Sequence, residues 1–384
     1  MSVTQSGKTA YQSQRYCPAE PLATYHTGRA CYMKKTLLVA AMLAGGVTTA
    51  HAQSSVSIYG LIDLGLTYYS NAPKTGGGGA RLLRMDSGIA QGSRIGFKGT
   101  EDLGGGMNAF FTLETGFGAD DGSLGQGGLL FGRQSFVGLG STQWGSLSVG
   151  RQYDFMANLG GQYAMGALSP AGSFGWGLHA DAAHGAALNN HIYAGDRTNN
   201  SIKYNSAKFG GFSFGAMVGL GETAGNNNAG RTVSATGQYD NGPFSGALAY
   251  TDVKDSTGSF STRIYGGGAR YQIGAFTPFG VITQVKNTNT SAKATTYELG
   301  TVYALTPMWD LAAAYQFQKR NQGVGNAQAL VATVDYKISK RTDLYVGAVY
   351  DRDKGYNAYP VFGGGIQSST GNQTALRLGM RHRF

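Results

Sequence analysis

"LRLGMRHRF" (Leu376 to Phe384) ends the chain and splits into two sets when read alternately. Leu376, Leu378, Met380, His382 and Phe384 fall on one side; Arg377, Gly379, Arg381 and Arg383 fall on the other. Side chains of a β-strand change face at every residue, so a strand here has one oily face and one cationic face, whereas a helix would mix the sets. Such a strand needs oil against one face and water against the other.

The same alternation recurs along the chain. "SSVSIYGLIDLGLTYYS" (54–70) sets Val56, Ile58, Ile62 and Leu66 against Ser57, Tyr59, Asp63 and Thr67. "TTYELGTVYAL" (295–305) and "MWDLAAAYQFQ" (308–318) repeat it, with Glu298 and Asp310 on the second face. Each run is about 10 residues, the length of a tilted strand crossing a bilayer. Alternation alone leaves a water-soluble sandwich open, because a sandwich also has one buried and one wet face per sheet.

Composition narrows the field. The chain has 384 residues, 62 of them Gly and 23 Tyr, with 8 Pro and 14% charged residues. That is rich in glycine and poor in charge, without a collagen-like triplet. The one long apolar run, "TLLVAAMLAGGVTTA" (36–50), follows Met33, Lys34 and Lys35 and ends at Ala50-His51-Ala52. A basic start, an apolar stretch and a small-x-small site describe a secretory signal peptide over 33–52, so residues 1–32 read as an upstream extension outside the native protein. The barrel domain is then 53–384. Both cysteines, Cys17 and Cys31, precede it, so no disulfide is expected. Removing five basic residues and one acidic residue from the formal +10 leaves a mature charge of +6. The basic residues are scattered, and nucleic acid is not an expected partner.

Turns carry the topology. Seven tight, turn-rich stretches lie at 100–108, 141–146, 205–212, 239–245, 272–278, 304–310 and 338–344, most of them about 33 residues apart. Between them lie longer Gly/Asn/Ser/Thr segments such as "GETAGNNNAG" and "KNTNTSAKATT". Short turns on one side and long loops on the other predict a closed, all-β, 16-stranded antiparallel transmembrane β-barrel. Closure matters because hydrocarbon leaves no partner for an unpaired strand edge.

"SRIGFKGTEDLGGGMNAFFTLETGF" (93–117), "FGRQSFVGLGSTQWGSLSVGRQYD" (131–154), "NNSIKYNSAKFGGFSFGAMVGLGE" (199–222) and the ending "LGMRHRF" resemble the trimeric general porins of Gram-negative outer membranes, neisserial and β-proteobacterial branch. The resemblance runs from about Gln53 to the end. It implies an outer-membrane diffusion channel for ions and small hydrophilic solutes, a homotrimer in contact with outer-membrane lipid and lipopolysaccharide, and Phe384 as the signal read by the outer-membrane assembly machinery. It also implies that the third external loop, here the long stretch 153–198, folds into the lumen and narrows it.

Candidate constriction residues follow from strand parity and from that resemblance. Parity places Arg94, Lys98, Lys203, Arg270, Lys286, Arg377 and Arg381 on the wet side, and the resemblance favours wall arginines at 94, 133 and 151. Arg151 shares its parity with Leu147 and Val149, so either a bulge intervenes or one assignment fails. Opposing acids on the loop are Asp154, Asp181 and Asp196. Opposed charges across a narrow passage orient water and polar solutes. The excess of cations suggests a weak preference for anions.

Other chemistry finds little footing. His179, Asp181, His184 and His191 are close in sequence, but nothing fixes a ligand geometry, so no metal and no cofactor is expected. No GxSxG or HExxH element occurs, and the reading is a channel, not an enzyme. A substrate-specific channel would line its lumen with an aromatic track, for which Tyr59, Phe110 and Tyr345 are too few. A plugged, adhesive barrel remains the third reading.

Overall fold

The computed structural model describes residues 55–174, 197–361 and 365–384. The extension 1–32 and the signal peptide 33–52 lie outside the described residues, as do Asp181, Asp196, His179, His184 and His191. The strand segments begin with β1 (Ser55–Pro73), β2 (Gly79–Ser87), β3 (Arg94–Gly104), β4 (Met107–Gly116), β5 (Gln134–Ser141) and β6 (Gly145–Tyr153). Two short helices follow, α1 (Phe155–Tyr163) and α2 (Met165–Leu168). Next come β7 (Arg197–Asn205), β8 (Phe212–Gly219), β9 (Thr232–Asn241), β10 (Phe244–Lys254), β11 (Ser261–Tyr271) and β12 (Phe276–Asn287). The series ends with β13 (Lys293–Ala304), β14 (Trp309–Arg320), β15 (Ala327–Lys337), β16 (Thr342–Asp353) and β17 (Asn372–Arg383).

Every pairing is antiparallel, and the sheet closes on itself. Leu61 to Tyr69 of β1 run against Arg383 to Ala375 of β17. On its other edge β1 pairs first with β3, through Ser55 to Leu61, and then with β2, through Leu64 to Pro73. So β2 and β3 are one strand interrupted by residues 88–93, and the barrel has sixteen staves. The seven predicted turns are all present, and the eight other connections lie at the opposite end. In the 104–106 turn three successive glycines take positive φ, a conformation that costs other residues.

The terminal strand obeys its sequence pattern. Leu376, Leu378 and Met380 are exposed on the outside, while Arg377 and Arg381 are buried on the inside. β1 does likewise, with Val56, Ile58, Ile62 and Leu66 outside and Asp63 and Thr67 inside. A barrel in hydrocarbon has this inside-out polarity.

One sector of the inner wall breaks that rule. Met217, Ala249, Ile264, Val281 and Val285 point inward and are buried beneath Phe155, Met156, Leu159 and Tyr163 of α1. Gly266 and Gly268 leave room for the helix: a Cβ on Gly266 would stand 2.5 Å from Met156 Cε, and one on Gly268 2.7 Å from Tyr163 Cβ. A second apolar cluster joins Met165, Ala171 and Phe174 to Val331, Val349 and Ala375 of the wall, with Val361 from the last loop. Val285 being inward puts Lys286 outward, with Ile282, contrary to its expected lumen position.

Candidate functional site in the barrel lumen

The stretch from 154 to 174 is seated by three carboxylates. Asp154 caps α1, its Oδ1 accepting from Ala157 N at 2.8 Å and its Oδ2 from Thr251 Oγ1 at 2.8 Å. An N-cap acid satisfies a helix-end N–H that would otherwise lack a partner. Asp154 is thus 1% exposed and holds the loop to the wall; it does not face the passage. Glu298 Oε1 accepts from Met165 N at 2.7 Å, at the start of α2. Asp63 Oδ2 accepts from Ala90 N at 2.7 Å, fixing the 88–93 interruption, whose Ile89 carbonyl then accepts from Ser173 N at 2.7 Å. Burial pushes the Tyr163 hydroxyl above the ordinary phenol value, and its hydrogen bond with Ser245 Oγ at 2.8 Å works the other way.

With Phe155, Met156, Leu159 and Tyr163 against the wall, α1 turns Asn158, Gly161 and Gln162 the other way. That amphipathic split leaves a cavity of about 1010 Å³ inside the barrel, open between the loop and the far wall. Arg94, Arg133 and Arg197 line it on one side, together with Tyr153. Arg133 Nε lies 2.8 Å from Glu114 Oε1, and Arg94 Nη1 lies 4.0 Å from it. Glu114 also accepts from Tyr59 Oη at 2.9 Å. Tyr153 Oη accepts from Arg133 Nη2 at 2.9 Å and from Arg197 Nη2 at 2.5 Å, and its ring lies 4.5 Å beneath the Arg197 guanidinium. Two guanidiniums therefore share the Glu114 carboxylate, and Tyr153 Oη links Arg133 to a third, that of Arg197. Among the described residues this side of the cavity therefore carries an excess of positive charge, which favours anions in a low-dielectric wall.

Towards the turn end the cavity is lined by mixed charges. Arg381 Nη2 pairs with Asp343 at 2.9 Å, Arg383 pairs with the same carboxylate at 2.9 Å, and Lys337 Nζ pairs with Asp310 at 2.5 Å. These groups largely neutralise one another.

Four expected wall cations are placed differently. Arg377 has a fully buried side chain, its Nη2 3.5 Å from Asp63 and its Nε donating to Tyr345 Oη at 2.7 Å. It braces the closing seam and does not line the cavity. Arg151 keeps the outward parity of Leu147 and Val149, because the bulge lies on β7, where the β6–β7 register slips and Asn200 takes φ 50. Its guanidinium donates to Gly132 O at 2.8 Å and Asn199 Oδ1 at 2.5 Å, tying strands together outside the cavity. Lys98 faces inward near the turn end, 5.2 Å above the Tyr59 ring, away from the cavity. Lys203 donates to Tyr153 O at 2.9 Å and is covered by Phe155.

Sequence reasoning passed over Arg197, Tyr153, Glu114 and Asp63. Glu114 and Asp63 had a signal, being lone acids at inward parity in otherwise uncharged strands. Arg197 and Tyr153 had none, since they close the two ends of the long loop, where strand periodicity runs out.

A model of the Gram-negative porin family matches residues 36–356. An outer membrane porin protein of Bordetella pertussis is 30% identical over 409 residues, spanning 92% of this chain and 100% of the relative. Outer membrane porin protein 32 of Delftia acidovorans is 32% identical over 365 residues, with the same coverage of each chain. Among solved structures, the anion-selective porin from Comamonas acidovorans superposes with a TM-score of 0.73 at 28% identity, covering 86% of this chain and 100% of that one. Closed barrel, charged lumen and full-length relatives converge, and the chain belongs to the Gram-negative porin family.

Proposed function

We propose that this outer-membrane porin passes small hydrophilic solutes and ions by diffusion, with a weak preference for anions set beside the third loop. The observation that carries the preference is the convergence of Arg94, Arg133 and Arg197 on one side of the cavity, where Glu114 is the carboxylate that pairs with Arg94 and Arg133 among the described residues. The anion-selective porin of Comamonas acidovorans supports the same reading. In this reading the third loop forms the constriction. Arg94, Arg133, Arg197 and Arg381 are its wall cations, and Asp181 and Asp196 are its loop acids. A zero-current potential measured across a planar bilayer in a salt gradient tests it: an anion-selective sign is expected, and a cation-selective sign rejects it.

The assembly is a homotrimer in this proposal. Among the described residues the second edge of β2 meets no strand, and Leu83 and Met85 are exposed beside it. Hydrocarbon tolerates no open strand edge, so a second copy is the natural cover. Chemical crosslinking that yields monomers alone would reject this. Phe384, whose N–H and C=O both pair with Gly60 at 3.1 Å, is assigned as the assembly signal. Deleting it should lower the outer-membrane yield while leaving refolding in detergent intact.

A further inference from the structure

On the inner wall a polar row crosses five neighbouring strands and takes no part in the passage. Glu298 of β13, Gln316 of β14, Ala329 of β15, Asp351 of β16 and Gln373 of β17 are each directly opposite the next. All five are buried, Gln316 and Gln373 completely and Asp351 at 1% exposure. Three oxygens of this row, Gln316 Oε1, Asp351 Oδ1 and Gln373 Oε1, meet no hydrogen-bond donor among the described residues. Buried polar atoms are normally satisfied, so three such acceptors along one line call for a ligand.

Charge narrows the choice of ligand. Asp351 Oδ2 accepts from Tyr359 N, in the last loop, at 2.9 Å. The neighbouring cation, Arg320, is held by Asp353, with Nη1 at 2.9 Å and Nη2 at 2.7 Å, and its Nε donates to Gln318 Oε1 at 2.7 Å. Asp351 is therefore a buried carboxylate with no cation of its own, which is costly unless something compensates it. Room exists beside it. Ala329 puts only a methyl group between Gln316 and Asp351, whose backbones stand about 10 Å apart, and Asp351 faces Gln373 across a single strand spacing.

We propose that Asp351 Oδ1, Gln373 Oε1 and Gln316 Oε1 hold a hard divalent cation of the calcium class above Ala329, with water supplying its remaining ligands. The donors are one carboxylate and two amide oxygens, without sulfur or imidazole, which suits calcium and not a transition metal. Among the described residues no three His, Cys, Asp or Glu side chains converge on one point, so the binding is weak. The ion has a structural consequence. Its carboxylate also receives Tyr359 N, and Val361 two residues later bridges to Phe174 at the end of the described part of the third loop. The ion therefore fastens the last loop to the wall and, through that bridge, steadies the third. The proposal is independent of the channel's ion selectivity.

The test is equilibrium dialysis of the detergent-folded full barrel, stripped by a chelator, against radioactive calcium chloride at neutral pH. One calcium per barrel is expected, with a Kd of about 1 mM, in the range of extracellular calcium modules. Asp351→Asn removes the charged ligand and should weaken binding at least about tenfold, the least that loss of a group merely orienting a ligand costs. Gln373→Glu adds a second carboxylate and should tighten binding about tenfold, since affinity follows the charge of the ligand set. A misfolded barrel cannot gain affinity, so this variant decides even if Asp351→Asn folds poorly. Glu101→Gln, exposed at the turn end, should change nothing. Affinity unchanged in Asp351→Asn, or no tighter in Gln373→Glu, overturns the proposal. So does a barrel that binds no calcium and whose heat resistance follows pH alone, which would give the row a proton shared by Asp351 and Gln373 in place of a metal ion.

Discussion

Val281 and Glu114 both point into the barrel, and their neighbourhoods differ completely. Around Val281, from β8 to β12, the inner wall is dry: Met217, Ala249, Ile264 and Val285 pack under α1. Around Glu114, from β3 to β7, it is wet and charged, with Arg94, Arg133 and Arg197 turned to the cavity. The same barrel thus carries two kinds of interior. On the dry side the loop is bound as a helix is bound in a soluble protein, by burial of an apolar stripe and by satisfied caps. On the wet side the wall is left open for solutes. Binding the loop on one side makes a passage with walls of unequal charge, and it lets selectivity be tuned without touching the loop's anchorage.

Substitutions that separate anchorage from selectivity test this division. The largest effect is expected at Arg377, which supports the loop indirectly through Asp63 and the 88–93 interruption. Arg377→Met leaves a buried carboxylate without its cation, which costs about 3–5 kcal/mol. The temperature at which the barrel loses its compact gel mobility should fall, while ion selectivity stays as it was. Leu159→Ala comes next: removing a buried leucine costs about 2–5 kcal/mol and acts on the seat of α1. Open-channel current noise should rise, and a protease should cut the loop faster. Glu298→Leu is smaller, about 1–3 kcal/mol, because it strands one buried N–H, that of Met165. It should raise the noise without shifting the zero-current potential. A shift in selectivity from any of the three would merge the two sectors into one.

The same division explains what could be read in advance. The barrel was legible because period-two alternation and turn chemistry are local, and seven turns with both ends at one side leave little freedom in the count. The outward face was legible too, since lipid imposes one rule along every strand. The inward face has two rules, and no local signal says which applies. "VITQVKN" (281–287) offers Val281 and Val285 to either side; only the presence of α1 inside makes them inward and Lys286 outward. Asp154 illustrates the complementary limit. An acid just before a helix is a cap by its position, but the helix itself lies within a loop, where no strand pattern announces it. Arg377 and Arg381 are four residues apart with identical parity, and depth alone separates a brace from a cavity wall.

The finest test lies within the wet sector. Arg133 and Arg197 share Tyr153 Oη, but Arg133 is held by Glu114 at 2.8 Å, while Arg197 has no carboxylate partner among the described residues. A guanidinium already paired contributes little net field, whereas an unpaired one acts on a passing ion in full. A unit charge about 4 Å from that ion in water is worth about 1 kcal/mol, or about fivefold in local concentration. Arg197→Gln should therefore lower the anion-to-cation permeability ratio by up to about fivefold. Arg133→Gln should lower it as well, but it also takes the nearer cation from Glu114 and leaves it Arg94 at 4.0 Å, so the carboxylate adds its own pull on cations and the shift is at least as large. Replacing both Arg133 and Glu114 by glutamine restores the balance, and the zero-current potential should return close to the original. If instead the double replacement keeps the full shift of Arg133→Gln, pairing does not govern the field in this cavity, and the distance of each guanidinium from the passage must.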